Sequence, residues 1–173
     1  MSRLKEKTTV TLLTAVFMIS IFAVAFPVIG ASSLYWVKAS GGGGFYNYDP
    51  DHYGDHCTIG LTGMSLSAVP RGVETAYKGS GVFVDHGQRM IVHLDITSGR
   101  WCPYIDGHVN FFGTARVKDL ELREKWTGRF ELILGYDDLG DRFGINLWDE
   151  DGYFVGHWLG VLDEGEVTVW IWE

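Results

Sequence analysis

The fold of this chain is decided by its last third, Phe143 to Glu173, which reads FGINLWDEDGYFVGHWLGVLDEGEVTVWIWE. Two polar turn sequences divide it into three apolar stretches. Asp149-Glu150-Asp151-Gly152 has Asp at the first turn position and Gly where a left-handed backbone is needed, which favours a three-residue hairpin loop with a bulge. Asp163-Glu164-Gly165 likewise begins with Asp and ends with Gly, so it is read as a second turn of the same kind. The pattern therefore predicts three antiparallel strands joined by two tight turns.

These turns also predict a register. The expected pairs are Leu147–Val155, Ile145–His157, Trp148–Phe154, Leu159–Val169 and Trp158–Trp170. Because strand side chains alternate between two faces, one face is predicted to be the core, with Phe143, Ile145, Leu147, Tyr153, Val155, His157, Leu159, Val167, Val169 and Ile171. The opposite face is predicted to collect five aromatic residues: Trp148, Phe154, Trp158, Trp170 and Trp172.

The same alternation recurs between Thr58 and Tyr136. Apolar residues occupy every second position from Met90 to Ile96 and from Phe130 to Leu134, and turn sequences separate the runs. The only helical pattern, Asp119 to Lys125, is too short and too charged to pack as a core helix. We therefore predict an all-β chain, an antiparallel β-sandwich or a closed β-barrel of about 8–10 strands. Glycines inside the strands predict strong curvature, with aromatic rings covering them.

The N-terminus has the features of an export signal. Arg3, Lys5 and Lys7 precede a mostly apolar run over residues 10–29, and small residues around Ala31 suit a signal peptidase. The run is also long enough to span a bilayer, so an uncleaved membrane anchor with the domain outside is the alternative. We expect a signal or anchor over residues 1–31, a Gly-rich entry segment over 32–44, and an all-β domain over 45–173, secreted or at the cell surface. Within the entry segment Leu34 to Ala39 suits a short first strand, whereas Ser40 to Gly44 is a glycine run that no regular element would choose.

The charge of the exported part limits its partners. Residues 32–173 keep 11 of the 14 basic and 21 of the 22 acidic residues, a net charge of about −10. Such a surface argues against nucleic acid and anionic membranes as partners. It leaves an unknown extracellular partner or a glycan, with membrane contact only through residues 10–29 if these are uncleaved.

Cys57 and Cys102 are the only cysteines. An even pair in an exported chain predicts a disulfide, which would stabilise the fold by roughly 4 kcal/mol in the chain-entropy model. The alternative is two buried thiols.

Two kinds of binding site are predicted. The aromatic face of Trp148, Phe154, Trp158, Trp170 and Trp172 is either a flat platform for sugar rings or another partner, or a layer buried by other strands. Acidic turns offer oxygen ligands for calcium, at Asp137, Asp138, Asp141, Asp149 and Asp151, although turn chemistry alone explains such residues. A weaker hypothesis is a zinc-type site in the loop of Asp51, His52, Asp55 and His56, whose alternative is solvated histidines.

No catalytic constellation is visible, so we predict that the protein is not an enzyme. The leading interpretation is an exported, non-catalytic β module for extracellular binding or surface structure. The alternative is a small β-barrel that encloses an apolar ligand or carries an enzymatic activity that no motif reveals. Inward-facing Gly60, Gly63 and Gly113 would leave room for that ligand, whereas large inner residues would fill the interior.

Several short motifs carry a family resemblance. They are Gly41 to Phe45, Gly81 to His86, Gly113-Thr114-Ala115, and the sequence from Tyr136-Asp137-Asp138 through Gly140-Asp141-Arg142-Phe143 to Gly152-Tyr153, followed by Gly160 and Gly165. From about Gly41 to its end the chain resembles the post-COAP domain family of exported microbial proteins. The resemblance implies an all-β extracellular module with no established activity, so no functional residue is carried over. This chain differs in standing alone behind its own signal, in its many tryptophans and in its cysteine pair.

Overall fold

The structure is a computed structural model that describes residues 33–102, 108–135 and 142–173. These residues form nine β-strands: β1 (Leu34–Tyr46), β2 (His56–Ser65), β3 (Val69–Pro70), β4 (Glu74–Asp85), β5 (Met90–Cys102), β6 (His108–Asp119), β7 (Lys125–Gly135), β8 (Arg142–Asp149) and β9 (Phe154–Trp172). A single 3-10 turn, Pro50–His52, lies between β1 and β2. No helix among the described residues is long and apolar enough to cross a membrane. The predicted signal or anchor, and Asp137, Asp138 and Asp141, lie outside the described residues.

Eight of these strands close into an antiparallel barrel. The strand order around the wall is β1, β2, β4, β5, β6, β7, β8 and β9, and β1 pairs with both β2 and β9, which closes the ring. The two-residue strand β3 pairs with the beginning of β1. The all-β prediction is confirmed, and of its two architectures the structure is the barrel.

Alternate residues of every strand point into the barrel and form its core. The largest fully buried side chains are Trp158, Phe45, Phe83, Phe111 and Phe143, and burial of one such side chain stabilises the fold by about 1.5–3 kcal/mol. Aromatic rings cover inward glycines, as predicted: a Cβ on Gly63 would lie 3.0 Å from the Phe111 ring, and one on Gly156 would lie 2.7 Å from the Trp158 ring. Gly60 is exposed and faces open space, so it leaves no room inside.

The glycine run Ser40 to Gly44 lies inside β1, so the prediction that no regular element would include it is wrong. Gly42 pairs with Gly60 of β2 and also with Glu166 of β9. A Cβ on Gly42 would collide with the backbone of β2, and one on Gly43 would collide with the backbone of β9. The glycines therefore allow the three strands that close the barrel to approach each other closely.

The register between β8 and β9 differs from the prediction by one residue. Trp148 pairs with Phe154 as expected, but Leu147 pairs with Gly156, so Val155 is an extra residue in a β-bulge. Because a shift by one residue moves every following side chain to the other face, Trp158 lies in the core with 1% exposure. The predicted core positions Val155 and Leu159 are 43% and 45% exposed, and His157 also lies on the outer face.

The second predicted turn, Asp163-Glu164-Gly165, is not a turn. β9 continues through it as one strand of 19 residues, pairing with β8 before this point and with β1 after it. Gly44 pairs with Glu164 while Phe45 pairs with Leu162, so the chain forms a bulge here, and Gly165 has a φ of 88°. Asp-Glu-Gly meets the backbone needs of a bulge as well as those of a turn.

The predicted disulfide is absent, and both cysteines are free. Cys57 pairs with Asp85, which pairs with Met90 at the beginning of β5, whereas Cys102 is the last residue of β5. A strand of that length spans roughly 40 Å. A disulfide requires Cα atoms within about 7 Å, so the two thiols lie too far apart along the barrel to be bridged.

Both ends of the barrel are covered by side chains. At the end where β1 begins, the Arg71 guanidinium lies 4.8 Å from the Tyr35 ring centre and 5.4 Å from that of Trp101. Val69, which pairs with Tyr35, is fully buried at this end. At the other end Asn47 and Asp85 are fully buried. The interior is therefore a filled core.

Candidate functional site

The outer face of the barrel carries a groove of about 480 Å³ that crosses β4 to β8. We call it the outer groove and define it by six of its lining residues: Glu74, Phe112, Thr114, Arg129, Glu131 and Trp148. It has two aromatic side chains, two carboxylates, one guanidinium and one hydroxyl. Ligand sites commonly combine an apolar surface with a few polar groups in this way.

Strand pairing explains how these side chains come together. Phe112 pairs with Glu131 across β6 and β7, and Thr114 pairs with Arg129, which in turn pairs with Trp148 of β8. All five side chains point outward, because they alternate with inward residues such as Phe130. Gly113 lies between Phe112 and Thr114 and also lines the groove. Its position faces the inward residue Phe130, and a Cβ on it would collide with the Asp95 carbonyl.

Glu131 is held in place by amide groups on both sides. Asn110 Nδ2 donates a hydrogen bond of 2.8 Å to Glu131 Oε1, and Asn146 Nδ2 donates one of 3.2 Å to Oε2. Asn146 Oδ1 in turn lies 2.5 Å from His157 Nδ1. Each carboxylate oxygen can accept two hydrogen bonds. The Glu131 carboxylate is therefore fixed in position and still able to accept hydrogen bonds from a ligand.

Glu74 provides the second carboxylate of the groove. Ser98 Oγ donates a hydrogen bond of 2.6 Å to Glu74 Oε1. The neighbouring side chains supply buried polar groups, since Arg100 pairs with both Glu74 and Asn110. Arg100 Nε and Asn110 Oδ1 are buried and have no hydrogen-bond partner among the described residues. Such groups normally bind water or a ligand, because leaving them unpaired costs free energy.

A second groove, of about 600 Å³, continues from the first along β6 and β7. It is lined by Asp95, Arg116, Thr127 and Glu150, and it shares Thr114 and Arg129 with the outer groove. We call the two grooves together the trough. From Phe112 to Arg116, the β6 residues that line the trough, a strand advances by roughly 13 Å, so the trough is long enough for an extended ligand.

The predicted aromatic platform does not exist as one face. Trp158 is buried, as described above. Trp148 and Phe154 contact each other, with ring centres 5.9 Å apart, but Trp170 and Trp172 lie at the far end of β9, roughly 50 Å of strand from Phe154. Only Trp148 of the five belongs to the outer groove.

Of the predicted calcium ligands, Asp149 and Asp151 are described. Asp149 Oδ1 accepts a hydrogen bond of 2.8 Å from the Tyr153 amide, which closes the β8–β9 turn. No group of three or more candidate ligands that would hold a metal ion occurs among the described residues. In the zinc-type loop, the Asp51 amide donates to Asp49 Oδ1, and the His56 ring stacks on His86 with centres 5.1 Å apart. The His52 side chain is not described.

Sequence reasoning missed Phe112, Glu131, Asn110, Asn146 and Glu74. Each stands at an outward position of an alternating strand, where a polar or aromatic residue resembles an ordinary solvated surface. Their grouping is visible only once the register of the five neighbouring strands β4 to β8 is known. The one usable signal was the pair of amides, Asn110 and Asn146, within apolar strands.

Searches against models of known families, curated proteins and solved structures each find no match. The resemblance to the post-COAP domain family therefore stays a prediction.

Proposed function

We propose that this protein is an exported, non-catalytic binding module that holds a glycan chain in the trough on the outside of its barrel. The observation that carries the proposal is Glu131, a carboxylate clamped by two amides in a groove that Phe112 and Trp148 also line. This combines a fixed hydrogen-bond acceptor with aromatic surface at one site.

A sugar ring matches this combination chemically. Its C–H faces are apolar and pack on aromatic rings, while its hydroxyls donate hydrogen bonds to carboxylates and accept them from guanidinium groups. Glu131 and Glu74 supply the acceptors and Arg129 supplies the donor. Because the amides already hold Glu131, little side-chain entropy is lost on binding.

The two carboxylates favour neutral or amino-bearing sugars over acidic ones, which they would repel. The length of the trough supports a chain of several sugar units over a single unit. The filled core argues against the alternative of an apolar ligand inside the barrel, since Phe111 and Ile96 occupy the space next to Gly63.

Isothermal titration calorimetry with neutral and amino-sugar oligosaccharides of two to six units would test the proposal. We expect binding that strengthens with chain length. Trp148→Ala and Glu131→Gln should each weaken it at least tenfold, or about 1.4 kcal/mol. The matched control is Trp170→Ala, which removes an exposed tryptophan outside the trough.

Affinity that falls equally in the Trp170→Ala variant would contradict the assignment of the site. The absence of binding by any oligosaccharide of the panel would contradict the glycan itself.

A further inference from the structure

A second surface lies on the other side of the barrel from the trough. We call it the tryptophan patch, and it consists of Leu34, Trp36, Met64, Trp170 and Trp172. Strand pairing makes it continuous: Trp36 pairs with Trp172, and Lys38 pairs with both Trp170 and Met64. Leu34, Met64, Trp170 and Trp172 are between 42% and 52% exposed.

Two lysines accompany the apolar side chains. Lys38 Nζ lies 4.8 Å from the centre of the Trp170 ring, and Lys78 pairs with Met64 on the side of β4. Both lysines lie in a domain whose net charge is about −10. The patch therefore combines indole rings, aliphatic side chains and amino groups.

The sequence limits what can cover this patch. Leu34 is the first residue of β1, and only residues 30–33 separate it from the apolar run over residues 10–29. Four residues reach at most roughly 15 Å when fully extended. In a chain that keeps the run in a bilayer, Leu34 and its neighbours are therefore held within about that distance of the lipid headgroups.

We propose that the tryptophan patch rests in the headgroup layer of the membrane in which residues 10–29 are anchored. Tryptophan concentrates in this layer because its ring is apolar while its N–H finds polar partners. Lysine extends its amino group towards lipid phosphates while its alkyl stem stays among apolar groups. The covalent anchor raises the local concentration of membrane at the patch, so a surface that binds lipid weakly on its own is kept in contact.

This orientation has a consequence for the trough. β1, at the centre of the patch, and β6, at the centre of the outer groove, lie four strands apart in the eight-stranded ring. Docking through the patch therefore directs the trough away from the membrane. The inference rests on retention of residues 10–29 and not on the nature of the trough's ligand.

The test uses the full chain in nanodiscs of zwitterionic phosphatidylcholine, with and without bromine atoms on the acyl chains near the headgroup. Bromine quenches tryptophan fluorescence only at contact range. We expect brominated lipid to quench part of the emission, and the Trp170→Phe/Trp172→Phe variant to lose at least half of that quenching. Trp148→Phe, the matched control at the trough, should keep it all.

Two outcomes would overturn the inference. One is emission that brominated lipid leaves unchanged in the wild-type chain. The other is quenching that is equal in the patch variant and the trough variant, which would mean that the barrel touches lipid without a preferred side. Concentration-dependent cross-linking between copies through the patch, with no quenching, would assign the surface to a second copy of the chain instead.

Discussion

Trp158 and Asp85 meet inside one end of the barrel, where the indole Nε1 donates a hydrogen bond of 2.6 Å to Asp85 Oδ2. The two residues are 1% and 0% exposed, and the Gln88 amide donates a second bond of 2.9 Å to Asp85 Oδ1. The Phe83 ring packs against the indole, with centres 5.4 Å apart. This contact joins the end of β4 to β9 across the interior, where a carboxylate needs hydrogen-bond donors.

Trp158→Phe is expected to lower the free energy of unfolding by about 2–4 kcal/mol. The substitution leaves a smaller ring in the core, and it also takes one donor from a buried carboxylate, which is worth about 1.5–3 kcal/mol. Chemical denaturation of the purified domain would measure the change. Trp148→Phe is the matched control, because Trp148 is only half-buried on the outer face, and it should cost less than about 1 kcal/mol. Equal losses in the two variants would place Trp158 on the face of β9 opposite the core, where the sequence analysis had put it.

How much the sequence could predict depends on the bulge at Val155. The alternating pattern was enough to predict strands, glycine-assisted curvature and a closed barrel as one of two architectures. It could not predict that Val155 is an extra residue, because a bulge changes the facing of the whole strand that follows and leaves no local irregularity in the alternating pattern. That single residue moved Trp158 inward and His157 outward. The local pattern predicted the strands correctly, whereas the pairing between strands determined which side chains face the core.

The candidate site was hidden from the sequence for a related reason. Asn110, Glu131 and Asn146 belong to three consecutive strands, and their hydrogen bonds join residues 21 and 15 positions apart. Nothing in the spacing of one strand predicts its alignment with the next. The predicted platform of five aromatic residues failed in the same way, since β9 proved to be one long strand instead of a hairpin.

Gly43→Ala is expected to destabilise the barrel by about 3 kcal/mol. A methyl group at this position would collide with the Glu164 carbonyl at the closure between β1 and β9, and a rigid backbone neighbour has nowhere to move. Gly60→Ala is the matched control, because Gly60 lies on the same closure but faces open space. It should be neutral or stabilising by up to about 1 kcal/mol. Thermal melts of both variants would measure the two changes in stability. A Gly43→Ala barrel as stable as the wild type would contradict the close approach of β1 and β9 at this position.

The thiols of Cys57 and Cys102 are expected to be free and unequal. Burial raises the pKa of the Cys57 thiol, and the carboxylates of Asp85 and Asp55 raise it further, so this thiol stays protonated and unreactive. Cys102 is half-buried and should react first with a thiol-specific reagent at pH 8. Both thiols should react equally fast once guanidinium has unfolded the protein. Protein prepared without reductant that titrates for no thiols in guanidinium would contradict the separation of the two strand ends.

Tyr77 gives the barrel a distinct sensitivity to alkaline pH. Burial raises the pKa of its phenol to about 12, and its hydroxyl has no hydrogen-bond partner among the described residues. The unfolded chain has a tyrosine pKa of about 10, so the phenol's contribution to stability is fully present below pH 10. It is lost as the pH rises through 12, because ionisation then favours the unfolded chain.

Tyr77→Phe should therefore change the pH dependence and the stability together. At pH 7 it removes a buried, unpaired hydroxyl, and the free energy of unfolding should rise by about 1 kcal/mol. Between pH 10 and 12 the wild-type barrel should lose roughly 2 kcal/mol more than the variant. Tyr153→Phe, at a tyrosine that is 73% exposed, is the control and should follow the wild type. Urea denaturation at pH 7, 10 and 11.5 would measure all three proteins. A Tyr77→Phe variant that is less stable at pH 7 would show that the hydroxyl has a partner, such as a buried water, that the protein depends on.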